Sequence, residues 1–83
     1  MCRNITILRG LEPAATAEEI EAGARQYVHK ISGIRQPTAA TEDVFEQAVA
    51  TIAEATAALL QELPPRKQPP TTVPPMRRHN GRP

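Results

Sequence analysis

Three groups of residues in this 83-residue chain have types and spacings that could do chemistry. The first is Cys2, the one cysteine, directly behind Met1. Removal of Met1 would leave its thiol and amine as a 1,2-aminothiol. Such a pair chelates soft metals and attacks carbonyls and thioesters, and the neighbouring Arg3 favours the thiolate. Zinc asks for three or four ligands, and only His29 and His79 could add to Cys2. No second cysteine completes a CxxC pair, so no metal or cofactor is expected. The competing reading is that Cys2 packs as a small apolar side chain.

The second group is Arg25, His29 and Ser32, spaced i, i+4 and i+7, with Lys30 and Arg35 nearby. On a helix these residues share a polar side and could receive a small anion. Cations close to a helix C-terminus are also favoured simply by the dipole, and that end presents carbonyls rather than amides. A glycine-rich phosphate loop, a GxSxG elbow and a paired-carboxylate signature are all missing.

The third group is the basic set Arg66, Lys67, Arg77, Arg78 and Arg82. It occupies a segment, 64–83, that holds seven of the nine prolines and no acidic residue. Proline at that density, with few large apolar side chains, favours an extended polyproline-II tail over a packed element. The proline pairs at 64–65, 69–70 and 74–75 lack the Pro-x-x-Pro spacing of an SH3 ligand. Five positive charges without aromatics suit an acidic surface or an RNA backbone, bound with strong salt dependence.

The elements that must position these groups are helical. Thr16-Ala17-Glu18-Glu19 is a capping box, in which Thr16 accepts from the Glu19 amide and Glu19 reaches back to the Thr16 amide. Glu18, Glu19 and Glu21 all sit where the dipole favours negative charge. Ile20, Ala24, Tyr27, Val28 and Ile31 then hold one face of a 3.6-residue period. Gly33 follows as a left-handed C-terminal cap, which places the first helix over 17–32. Gly23 inside it costs on the order of 1 kcal/mol against alanine, a cost that close approach of another backbone would justify.

A second helix is expected over 39–63, opened by Pro37-Thr38 with Thr38 or Thr41 as N-cap. Phe45, Ala48, Val49, Ile52, Thr56, Leu59, Leu60 and Leu63 hold its apolar face. Leu63-Pro64-Pro65 stops it. The short connection makes the pair an antiparallel hairpin. Ahead of it, residues 3–8 include the branched Ile5, Thr6 and Ile7 and read as an extended strip.

Composition and charge narrow the function class. The chain is 40% apolar and 23% charged with a net charge of +1, which fits neither a collagen-like nor a wholly disordered protein. Residues 1–63 carry nine acidic against five basic side chains, a net −4, whereas 64–83 carry +5. No apolar run reaches the length of a transmembrane helix, and the first residues lack a signal-peptide core, so a cytoplasmic, non-membrane setting is expected. Two helices and a strip form a thin core. A protein partner or a second copy is therefore expected to complete it through one helical face.

The stretches Met1-Cys2-Arg3-Asn4-Ile5, Pro13-Ala14-Ala15-Thr16-Ala17-Glu18-Glu19-Ile20, Gln26-Tyr27-Val28-His29-Lys30-Ile31-Ser32-Gly33, Pro37-Thr38 and Phe45-Glu46-Gln47-Ala48-Val49 resemble the DUF2277 family of small bacterial proteins. The likeness covers about residues 1–63, and the Pro65-Arg66 step resembles that family's exit from its second helix. It implies a mainly helical fold and brings no activity, cofactor or partner with it. His29 stands where the family usually has arginine and Gly23 where it usually has alanine. The proline-rich tail stands in place of a charged, alanine-rich extension.

The expected fold is thus mainly α: a hairpin domain over 1–63 with a short extended segment in front and an irregular, proline-rich basic tail over 64–83. The expected function is a small non-enzymatic interaction module or accessory subunit. Its tail would contact a larger protein or ribonucleoprotein assembly. The alternative is a small thiol enzyme or metal-handling protein built on Cys2.

Overall fold

A computed structural model describes residues 5–65 together with Pro74 and Arg77. Two helices make the fold, α1 (Ala17–Ser32) and α2 (Glu42–Glu62), packed side by side as an antiparallel hairpin. Among the described residues there is no strand, and the part of the N-terminal strip they include, 5–8, has no regular secondary structure.

The bounds of α1 follow from its local chemistry. The Glu19 amide donates to Thr16 Oγ1 at 3.1 Å, and the Thr16 amide donates to Glu19 Oε1 at 2.9 Å, which completes the expected capping box. At the other end Gly33 has φ 73°, and its amide donates to the His29 carbonyl at 3.0 Å. Ile34 packs against the core from just beyond this cap, aided by the Ser32 hydroxyl, which accepts from the Ile34 amide at 3.1 Å.

Helix α2 begins at Glu42 rather than at 39, because the preceding residues close a turn of their own. The Thr41 and Glu42 amides both donate to the Thr38 carbonyl, at 3.0 and 2.8 Å. Thr41 is the N-cap, yet its hydroxyl accepts from the Thr38 amide at 2.9 Å and makes no cap bond to its own helix. Glu42 and Asp43 supply negative charge to the first turn instead. Two prolines follow Leu63 and prevent another turn.

Ala24 and Val28 of α1 meet Phe45 and Val49 of α2 in the core, flanked by Ile34, Ala48, Ile52 and Ala53. The core is small, and the apolar stripes extend past it. Tyr27 (46% exposed), Ile31 (65%) and Leu59 (55%) belong to the expected inward stripes but face outward. At the loop end, Gly33 turns the chain so that Ile34, not Ile31, closes the core. Ahead of α1 the chain makes a turn at Gly10 (φ 86°), and Leu11 is buried just after it.

Candidate interaction surfaces

The two sides of the hairpin differ in chemistry. On one side Arg25 bridges the helices. Its Nη1 donates to Glu46 Oε2 at 2.7 Å and its Nη2 to Glu46 Oε1 at 2.8 Å, a two-pronged fork. Nη2 also donates to Glu21 Oε2 at 3.0 Å, one turn back on α1. The guanidinium lies 6.0 Å from the centre of the Phe45 ring. These carboxylates raise the Arg25 pKa, Glu46 foremost, and Arg25 in turn lowers that of Glu46.

The expected polar patch of Arg25, His29, Lys30 and Ser32 is therefore mostly committed within the molecule. His29 Nδ1 lies 2.6 Å from the Ile34 carbonyl. A carbonyl only accepts, so Nδ1 carries the proton and donates. The His29 ring also tilts against Phe45, with centroids 4.8 Å apart. Ser32 serves the helix end as described above. Lys30 is exposed. Arg25 is matched by two carboxylates and clamps the two helices together on this side.

The other side is apolar. A hollow of about 220 Å³ opens between the N-terminal strip and the two helices, lined by Ile5 and Thr6 from the strip, Gly23 and Tyr27 from α1, and Ile52 and Thr56 from α2. The strip and Gly23 thus line the same hollow. Ile5, Ile7 and Tyr27 remain about half exposed here. Ile31 follows Tyr27 by one helical turn and Leu59 follows Ile52 by two, so the apolar flank continues along both helices. The Thr6 hydroxyl is buried, with no hydrogen-bond partner among the described residues.

A third feature lies at the start of α1 and was read from the sequence only as a cap. Glu19 is 4% exposed. Its Oε2 accepts from Arg77 Nε at 2.7 Å and its Oε1 from Arg77 Nη2 at 3.1 Å. The same Nη2 donates to the Ala14 carbonyl at 3.0 Å. The Arg77 guanidinium draws the Glu19 pKa down, against the opposing effect of burial, and Glu19 raises that of Arg77. Arg77, expected among the tail cations that would meet an acidic or RNA surface, closes on the hairpin. Its signal in the sequence was slight: an arginine three residues after a proline, in a segment without an acid of its own. Arg9 makes a smaller closure that sequence reasoning also missed, donating through Nε and Nη2 to the Pro64 carbonyl at 3.1 and 2.8 Å.

Cys2, His79 and the tail cations Arg66, Lys67, Arg78 and Arg82 lie outside the described residues. Among the described residues no three His, Cys, Asp or Glu side chains are grouped to hold a metal ion. No helix among them is long and apolar enough to cross a membrane.

A family model described as an uncharacterized conserved protein, DUF2277, matches residues 1–82. The chain belongs to the DUF2277 family, and the match runs through the proline-rich segment rather than ending near residue 63. No curated protein and no solved structure matches the chain.

Proposed function

We propose that this DUF2277 member is a small interaction module or accessory subunit that performs no chemistry of its own. It docks a second copy or a larger protein through the apolar flank of Ile5, Tyr27, Ile31, Ile52 and Leu59. The basic proline-rich tail adds electrostatic attachment to an acidic or ribonucleoprotein surface.

One observation carries this reading: Ile31 and Leu59 are each more than half exposed although they continue the stripes that supply the core. Single exposed apolar residues need no explanation, but exposed apolar side chains on both helices and the strip, beside an apolar hollow, are the kind of surface that partners cover. The opposite side is closed by the Arg25–Glu46 fork, which supports a reading in which docking falls on the apolar side alone.

Charge placed on the flank tests the reading. The full chain carrying Ile31→Glu and Leu59→Glu should keep the helical circular dichroism of the wild type, since both side chains already face water. It should lose self-association in light scattering and lose specific protein capture from the native host lysate. A wild-type chain that stays monomeric and captures nothing that the double variant fails to capture would refute the proposal.

A further inference from the structure

The contact between Arg77 and Glu19 has the anatomy of a peptide occupying a receptor site. Glu19 is fixed from below, because its Oε1 accepts the Thr16 amide within the capping box. That leaves Oε2 and the remaining capacity of Oε1 aimed away from the helix, next to the outward-facing Ala14 carbonyl. Together they accept from the Nε edge of one guanidinium, a geometry that a lysine ammonium cannot reproduce. Helix capping needs only the first of these bonds. A carboxylate this deeply buried is costly unless a cation meets it.

The ligand side is equally defined. The Arg77 amide donates to the Pro74 carbonyl at 3.0 Å, which sets the arginine three residues past a proline at a fixed reach. Pro74 is itself buried. The contacts to α1 are made by the Arg77 guanidinium, held to the carbonyl of a buried proline three residues before it, so the candidate ligand reads Pro-x-x-Arg.

We propose that the start of α1 is a binding site for a Pro-x-x-Arg segment of polypeptide, and that the chain's own Pro74 and Arg77 occupy it as a tethered ligand. Tethering sets an effective concentration in the millimolar range, so the same segment offered from another molecule competes poorly while the tail is in place. When the tail's cationic surroundings are drawn to an acidic partner, the site is vacated and takes the Pro-x-x-Arg segment of a second copy. This inference stands on the Arg77 contacts and does not depend on the apolar flank.

The test uses the full-length chain and a labelled peptide of residues 71–83. Binding is read by fluorescence anisotropy and by amide shifts at Ala14, Thr16 and Glu19. The Arg77→Ala chain, whose own ligand is disabled, should bind the peptide, and the wild-type chain should bind it roughly a hundredfold more weakly or worse. Adding Glu19→Gln to Arg77→Ala should abolish binding while leaving the helix capped, since glutamine also serves at that capping position. A peptide with Arg77→Ala should not bind. Should the Arg77→Ala chain fail to fold, Arg77→Lys replaces it, keeping the charge and losing the fork. Equal binding by wild type and variant, indifference to the peptide's arginine, or no binding at millimolar peptide would each overturn the proposal.

Discussion

Glu19 and Arg77, 58 residues apart in the chain, are joined by hydrogen bonds of 2.7 and 3.1 Å at the first turn of α1. One carboxylate therefore ends a helix and seats the C-terminal segment at once. The two roles draw on different donors, the Thr16 amide for the cap and Arg77 for the seat, and Oε1 accepts from both.

Both roles are strongest with the carboxylate ionised, which gives a pH dependence with a definite sign. The ionised carboxylate is the form that holds Arg77, and folding lowers its pKa. Its contribution to stability is complete above the ordinary carboxylate pKa, roughly pH 4, and is lost as pH falls through the lower folded value. Thermal melts of the wild type should therefore decline on the acid side. Glu19→Gln should melt lower at neutral pH and decline less steeply. Parallel acid limbs in the two proteins would show that the Glu19 ionisation is not coupled to folding.

The two ends of α1 should respond differently to alanine. Thr16→Ala removes the acceptor for the Glu19 amide and should cost about 1 kcal/mol in denaturant unfolding. Gly33→Ala places a methyl group where no atom lies within 4 Å, so its cost of about 1–2 kcal/mol comes from the left-handed backbone alone. Gly33→Asn should recover part of that loss, as asparagine tolerates this region. A Gly33→Ala chain as stable as the wild type would contradict the observed cap.

The Arg25 fork is partly open to solvent, so it should act on specificity of the helix pairing more than on total stability. In a double-mutant cycle, Arg25→Ala and Glu46→Ala should be less than additive at low salt. The coupling should fade toward zero in molar sodium chloride. Coupling that survives high salt would mean that the pair is more buried than the structure has it.

How much of this was legible in the sequence depended on the range of each interaction. Both ends of α1 were readable to the residue because capping is local: Thr16 and Glu19 are three residues apart, and Gly33 follows the last apolar turn. The start of α2 was placed three residues early because Thr38 and Thr41 carry the same capping chemistry. They use it on each other, in a turn. The Arg25–Glu21 pair lay open at i, i+4, whereas the stronger fork to Glu46 depends on how the hairpin closes. Glu19 was recognised as a cap and missed as a seat for the same reason. Its second partner stands in a segment whose composition pointed to contacts outside the chain, and no local rule reaches across 58 residues.

The most direct test of the docking flank is site-specific crosslinking in the native host. A photoreactive benzoylphenylalanine placed at Ile31, on the apolar flank, should yield a discrete protein adduct on illumination, either with a second copy or with a larger partner. The same group at Glu54, exposed elsewhere on α2, should yield none. Adducts of equal yield from both positions, or none from Ile31, would contradict the assignment of that flank as the surface through which this protein acts.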